Sequence, residues 1–250
     1  MAIDEALLRH FDPAVSLPVL RLYGWEPAAL SIGRFQKADK LNLDHCRERR
    51  LPVVRRITGG GAILHADELT YSLVCAPCQI PPAASIKDSF RLLTGFLLDF
   101  YRSLGLRASY AVDCAFDGVR LGERTPFCFA GRESYDIFVD GRKIGGNAQR
   151  RLREVIFQHG SIPLLDRLKE GSACLRDVPP DIAERVTCLE LEGVRQDVRQ
   201  LKKRLADCFG RCLGVHLVAE DLSLKEQETA KRLTNEKYSS PLWNLQGDEP

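Results

Sequence analysis

The chain has 250 residues, 44% of them hydrophobic and 28% charged, with 19 glycines and 13 prolines. These are the proportions of a soluble globular protein, and they exclude a disordered, collagen-like or fibrous chain. The 36 basic and 34 acidic side chains leave a net charge of +2, which argues against nucleic acid as a partner because such binding rests on neutralising many phosphates. No apolar run approaches the roughly 20 residues that a membrane-spanning helix needs, so no membrane association is expected. Nine cysteines accompany one methionine, Met1. The start, Met1-Ala2-Ile3-Asp4-Glu5, lacks the basic and apolar regions of a secretory signal, which points to reduced thiols in the cytoplasm rather than a disulfide framework.

Ala2 to His10 has helix-forming composition but begins with no strand or cap before it, so an element upstream is expected. Val19 to Trp25 and Ala29 to Gly33 read as a strand pair around a proline-bearing turn. Leu43 to Arg50 reads as a polar helix, and Val53 to Ile57 and Thr70 to Cys75 as further strands. After Pro77, Pro81 and Pro82, Ser85-Ile86-Lys87-Asp88 resembles a capping box opening a helix whose apolar positions are Phe90, Leu93, Leu97, Phe100 and Leu104. Tyr135 to Val139 alternates, and Asp140-Gly141 then signals a two-residue hairpin into Arg142-Lys143-Ile144. Val155 to Phe157 and Gly160 to Leu164 read as antiparallel strand. Val194, Val198, Leu201, Leu205, Phe209 and Cys212 fall at helical spacing with a basic, solvated opposite face. Val215 to Val218 reads as a short strand, and Ser223-Leu224-Lys225-Glu226 as a capping box before a final helix. With no repeat or flexible linker, the pattern predicts one α+β domain over residues 1–250, a mainly antiparallel sheet with helices outside it. A small C-terminal helical subdomain from about Leu175 is compatible with it.

Two segments carry ligand-binding character. In Arg55-Arg56-Ile57-Thr58-Gly59-Gly60-Gly61-Ala62-Ile63-Leu64-His65, three glycines after a strand let backbone N–H groups approach a carbonyl, carboxylate or phosphate closely. Arg55 and Arg56 add fixed charge, one of them expected to face solvent because strand neighbours point opposite ways. No Gly-Lys-Ser/Thr follows, so the segment is not a P-loop. The second segment runs from Gly141 through Lys143, Gly145, Gly146, Asn147 and Ala148 to Arg151, with Gln158-His159-Gly160-Ser161 further on. A lysine among glycines can sit over an acyl carbonyl as a compact charge with three donors, although any single hairpin lysine is more simply solvated.

Most of the cysteines read as bystanders. Cys75-Ala76-Pro77-Cys78 is a CxxC without a second pair at zinc spacing or a thioredoxin-like context, and no metal site is expected. Cys208 and Cys212 sit on or beside the apolar face of a helix. Cys46, Cys114, Cys174 and Cys188 have no catalytic partners nearby in sequence. Cys128 stands between Phe127 and Phe129, which favours buried filler, yet the ammonium of Lys143 close behind it would lower its pKa and make it a nucleophile.

The segments RRITGGGAILH, CFAGRESYDIFVDGRKIGGNAQRR, FQHGSIPL and NEKYSSPLWN together resemble the lipoate-protein ligase and octanoyltransferase branch of the biotin/lipoate ligase superfamily. The resemblance implies a mixed, largely antiparallel sheet flanked by helices, related to class II aminoacyl-tRNA synthetase catalytic domains. It also implies an acyl tunnel beside the glycine-rich loop and a carrier-protein lysine as acceptor. Carried onto this sequence, it makes Cys128 the nucleophile of a cysteine-dependent octanoyltransferase and Lys143 its partner. Arg55, Arg56, Thr58, Gly59, Gly60, Gly61, His65, Gly145, Asn147, Ala148 and His159 become substrate-binding residues. The implied donor is octanoyl-acyl carrier protein. The implied acceptor is a lipoyl-domain protein, the glycine cleavage H protein or a 2-oxoacid dehydrogenase E2, with no cofactor. The alternative within the family is an ATP-dependent lipoate-protein ligase acting through lipoyl-adenylate with ATP and Mg2+. Family members begin with a strand ahead of an Asn-Met-Ala helix, and this sequence starts at that Met.

Overall fold

Capping chemistry and helical spacing carry over directly into the helices of the computed structural model, which describes residues 1–83, 85–114, 131 and 133–249. The helices are α1 (Ala2–His10), α2 (Leu43–Glu48), α3 (Ile86–Ser103), α4 (Leu168–Ala173), α5 (Ile182–Arg185), α6 (Val198–Leu213) and α7 (Leu224–Leu233). Ser85 caps α3 by accepting the Asp88 N–H. Ser223 and Glu226 form a reciprocal capping box on α7. Each such cap satisfies N–H groups that a helix start leaves without intrahelical partners.

Eleven strands form among the described residues: β1 (Val19–Tyr23), β2 (Ala29–Ile32), β3 (Val53–Arg55), β4 (Ile63–His65), β5 (Glu68–Cys75), β6 (Ala108–Tyr110), β7 (Ile137–Val139), β8 (Arg142–Ile144), β9 (Gly146–Arg151), β10 (Ile156–Pro163) and β11 (Val186–Thr187). They make an antiparallel sheet in the order β1-β5-β10-β9, a second sheet β11-β8-β7-β6 and a third, β3-β2-β4. Parallel pairing occurs at β2–β3 and β8–β11, so the architecture is mixed but largely antiparallel, as expected. Asp140 and Gly141 both take positive φ, 46° and 80°, as a type I′ hairpin turn requires between β7 and β8.

The main core lies between the first sheet and helices α3 and α6. Tyr71 meets Phe96 edge to face at 5.1 Å, and Phe96 meets Phe209 likewise at 5.1 Å. Leu93, Phe96, Leu97 and Phe100 are buried along one stripe of α3, each side chain contributing roughly 1.5–3 kcal/mol by leaving water. Helix α1 packs on α7, and just beyond α7 Lys237 Nζ and Tyr238 Oη donate to the Glu5 carboxylate at 3.1 and 2.6 Å. The chain from Thr234 to Gln246 forms two π-helical turns that return to β3.

Three expectations are corrected. The segments β1 and β2 are both strands but not partners: β1 pairs with β5, and β2 pairs with β3 and β4 in another sheet. Alternation shows that a segment is extended and says nothing about its neighbour. Val215 to Val218 forms no strand, and Val218 is 85% exposed, since no sheet edge lies there to take its hydrogen bonds. Arg55 and Arg56 are both buried, because β3 ends at Arg55 and the alternation that would turn one outward ends with it.

Candidate active site

The glycine-rich loop between β3 and β4 lies against the paired strands β9 and β10. The antiparallel register sets Asn147 opposite Gly160 and Ala148 opposite His159. A cavity opens there, lined by Arg56, Gly59, Gly60 and His65 from the loop side and by Asn147, Ala148 and His159 from the sheet. Tyr71 Oη donates to Asn147 Oδ1 at 2.8 Å and fixes that amide. Gly60 has φ +98°, and a Cβ on Gly33 would stand 2.0 Å from the Gly60 carbonyl oxygen, so loop and β2 terminus touch backbone to backbone. A second, apolar cavity adjoins the first, lined by Leu64, Pro163, Leu165, Leu168 and Val186, and the two share Ser161.

The two arginines have different tasks. Arg56 NH2 donates to the Gly59 and Gly61 carbonyls at 3.1 and 2.8 Å. With those oxygens drawn toward Arg56, the trans peptide plane turns the N–H groups of Gly60 and Ala62 the opposite way. Arg55 points to the C-terminal segment instead. Its guanidinium donates to the carbonyls of Gly33, Gln36, Trp243 and Leu245 at 2.7–3.0 Å, and Trp243 Nε1 donates back to Arg55 O at 3.0 Å. Trp243 is fully enclosed, with the Arg34 guanidinium 4.3 Å and the Lys237 ammonium 3.8 Å from its ring.

Lys143 is buried rather than solvated. Its Nζ donates to Asp136 Oδ2 at 2.6 Å and to Gly131 O at 2.9 Å. Asp136, which also accepts the Glu133 N–H at 2.8 Å, was not anticipated. Its signal was present in the sequence: the hairpin register sets Lys143 opposite Phe138, and residue 136 lies on the same face as 138. Cys128 lies outside the described residues. Gly145 joins β8 to β9 at φ +78°, where a Cβ would stand 2.2 Å from Ser161 O. Among the described residues no group of three or more His, Cys, Asp or Glu is placed to hold a metal, and no helix is long and apolar enough to cross a membrane. Cys75 is buried at the end of β5, and burial pushes its thiol pKa up to about 12.

Thr58 Oγ1 and His159 Nε2 are 2.6 Å apart. Burial, assisted by the positive Arg56, lowers the His159 pKa to about 3 from 6.5. The native ring is therefore neutral where the unfolded chain takes up a proton, so stability is lost as pH falls below about 6.5. Acidification to pH 5 is expected to remove about 2 kcal/mol through this residue. Urea midpoints of wild type and His159→Gln at pH 7 and pH 5 check it. The loss on acidification should be smaller in the variant, and equal losses would contradict the assignment.

The sequence profile of the Lipoyl protein ligase A/B catalytic domain matches residues 1–210, and the chain belongs to that family. It is accordingly an acyltransferase enzyme of protein lipoylation. It is 36% identical over 260 residues to Octanoyltransferase LipM of Lysinibacillus sphaericus, covering 98% of this chain and 93% of that protein. To Octanoyltransferase LipM of Bacillus subtilis (strain 168) it is 34% identical over 258 residues, covering 98% and 92%. Among solved structures, lipoate-protein ligase A bound with ATP superposes with a TM-score of 0.81 at 26% identity, covering 98% of this chain and 92% of that one. The bipartite lipoate protein ligase of Thermoplasma acidophilum gives 0.80 at 25% identity, with 100% and 91% covered.

Proposed function

We propose that the protein transfers an octanoyl group from octanoyl-acyl carrier protein to a lysine of a lipoyl-domain protein through a thioester on Cys128. The Cys128 thiolate attacks the donor thioester carbonyl, and the carrier's phosphopantetheine thiol leaves. The ε-amine of the acceptor lysine, on the glycine cleavage H protein or a 2-oxoacid dehydrogenase E2, then attacks the acyl-enzyme, losing a proton and releasing the Cys128 thiol. An amide is more stable than a thioester, so no ATP or other cofactor enters. The acyl chain enters beside Gly59, Gly60, Gly61 and His65. The amides that Arg56 turns away from itself, with the charge of Lys143, offset the developing oxyanion.

The observation that carries this reading is the glycine loop of the first cavity. Two of its carbonyls, those of Gly59 and Gly61, are held by Arg56, and Gly59 and Gly60 line the cavity, so this reading gives the acyl oxygen to the Gly60 N–H. Lys143 supports it by bonding Gly131, three residues after Cys128. The likeness to octanoyltransferases named LipM supports the acyl group chosen. The test is to incubate the protein with octanoyl-acyl carrier protein, weigh it intact and map the modified peptide. A hydroxylamine-labile octanoyl adduct on Cys128, passed to an apo lipoyl domain without ATP, is expected. Its absence, with ATP-dependent pyrophosphate release from free lipoate in its place, would establish the ligase chemistry that the ATP-bound structural relative favours.

A further inference from the structure

Beneath the glycine loop, Arg56, Ser31, His65 and Glu68 form one hydrogen-bonded chain. Arg56 NH1 donates to Ser31 Oγ at 2.6 Å, Ser31 Oγ meets His65 Nε2 at 2.6 Å, and His65 Nδ1 meets Glu68 Oε1 at 2.7 Å. All four residues are more than nine-tenths buried. The carboxylate is held from both sides, Oε1 accepting the Thr70 hydroxyl and Oε2 the Ser161 hydroxyl. Thr70 Oγ1 in turn accepts Trp25 Nε1 at 2.9 Å, and the indole lies flat on the His65 ring at 4.1 Å.

In a neutral His65 ring, donor counting sets the direction of each proton in this chain. A guanidinium only donates and a carboxylate only accepts, so His65 carries its hydrogen on Nδ1 toward Glu68. Ser31 accepts from Arg56 and has one hydrogen to give, which goes to a bare Nε2. With the hydrogen on Nε2 instead, Ser31 would face two donors and the Nδ1 lone pair would face the carboxylate. Serine, histidine and carboxylate in this order have the connectivity of a nucleophilic triad. Ser31, however, is completely buried and does not line the cavity, so its hydroxyl serves Arg56 rather than a substrate.

We propose that Glu68 is a positioning residue for the acyl site: by fixing the Nδ1–H form of His65 it orders Ser31 and Arg56, and Arg56, through its bonds to the Gly59 and Gly61 carbonyls, then sets the Gly60 N–H toward the acyl oxygen. This inference rests on the acyl-transfer reading of the cavity and adds a residue that acts through His65, Ser31 and Arg56, although its side chain also borders the second, apolar cavity. Replacement Glu68→Gln keeps the shape but lets the side-chain amide present either oxygen or N–H to the ring, so both forms of His65 become populated.

The test combines nitrogen NMR of the His65 ring, assigned with His65→Gln, with transfer kinetics of Glu68→Gln and Ser31→Ala. Wild type is expected to show Nδ1 protonated and Nε2 bare, and Glu68→Gln a mixture. In both variants kcat should fall roughly 10- to 100-fold with the donor KM nearly unchanged, the effect of misplaced rather than missing groups. A wild-type ring protonated on Nε2, or variants turning over within twofold of wild type, would overturn the proposal. Should Glu68→Gln not fold, the wild-type ring and Ser31→Ala decide alone. Absence of octanoyl transfer by wild type would defeat the acyl-transfer reading instead, while the ring measurement still tests the relay.

Discussion

Replacing Lys143 with methionine is expected to lower octanoyl transfer roughly 100- to 1,000-fold, the loss that follows removal of one oxyanion donor. The same change should destabilise the fold by about 3–5 kcal/mol, because it leaves a buried carboxylate without its cation. Methionine matches the length of the lysine stem, so the loss falls on charge rather than packing. Both partners are nearly inaccessible, at 3% and 5% side-chain exposure, and their contact is 2.6 Å. The Glu133 N–H, Asp136's remaining bond partner, cannot neutralise it alone. Adding Asp136→Asn to Lys143→Met removes the unpaired charge and should return most of the stability but none of the transfer. Urea denaturation and octanoylation of an apo lipoyl domain separate the two effects. A single variant transferring at the wild-type rate would exclude Lys143 from the chemistry.

Gly33→Ala is expected to cost roughly 100-fold in kcat/KM, the scale of a displacement of about 1 Å in reacting groups. The added carbon would lie 2.0 Å from the Gly60 oxygen, 3.0 Å from the Gly60 carbonyl carbon and 3.1 Å from that of Gly59. All three are backbone atoms with no rotamer to escape into, so the loop itself must move. The movement pulls at the Gly59 and Gly61 carbonyls that Arg56 holds. Overpacking of this kind destabilises by about 1–3 kcal/mol, so a correctly folded variant with a slowed chemical step is the expected result. Unchanged steady-state kinetics would show that the loop tolerates the shift.

Much of this architecture can be read in the residues themselves. Ser85 and Ser223 announce their helices because capping is local chemistry, and Asp140-Gly141 announces its hairpin because few residues accept positive φ twice in succession. Of the expected site residues, Arg56, Gly59, Gly60, His65, Asn147, Ala148 and His159 line one cavity, while Thr58, Gly61 and Lys143 do not line it. Local pattern does not reveal partners. The separate sheets of β1 and β2 depend on pairings dozens of residues away. Gly33 and Glu68 act through contacts made only after folding, and nothing beside them in sequence marks their role, whereas Asp136 becomes legible once the hairpin sets Phe138 opposite Lys143. Arg55 shows the same limit from the other side. Its place in the motif resembles that of Arg56, yet its hydrogen-bonding capacity is spent on protein carbonyls.

That arrangement of Arg55 also bears on the order in which the protein matures. Two of its carbonyl partners, Trp243 and Leu245, lie 188 and 190 residues further along the chain. A ribosome has therefore finished the glycine loop, the sheet and the long helices well before it makes the residues that brace β3 from behind. Such distant closure is slow because the entropy of the intervening loop is lost first. Acyl transfer should thus be the last property a nascent chain acquires, and the first lost when a protease trims back through Trp243.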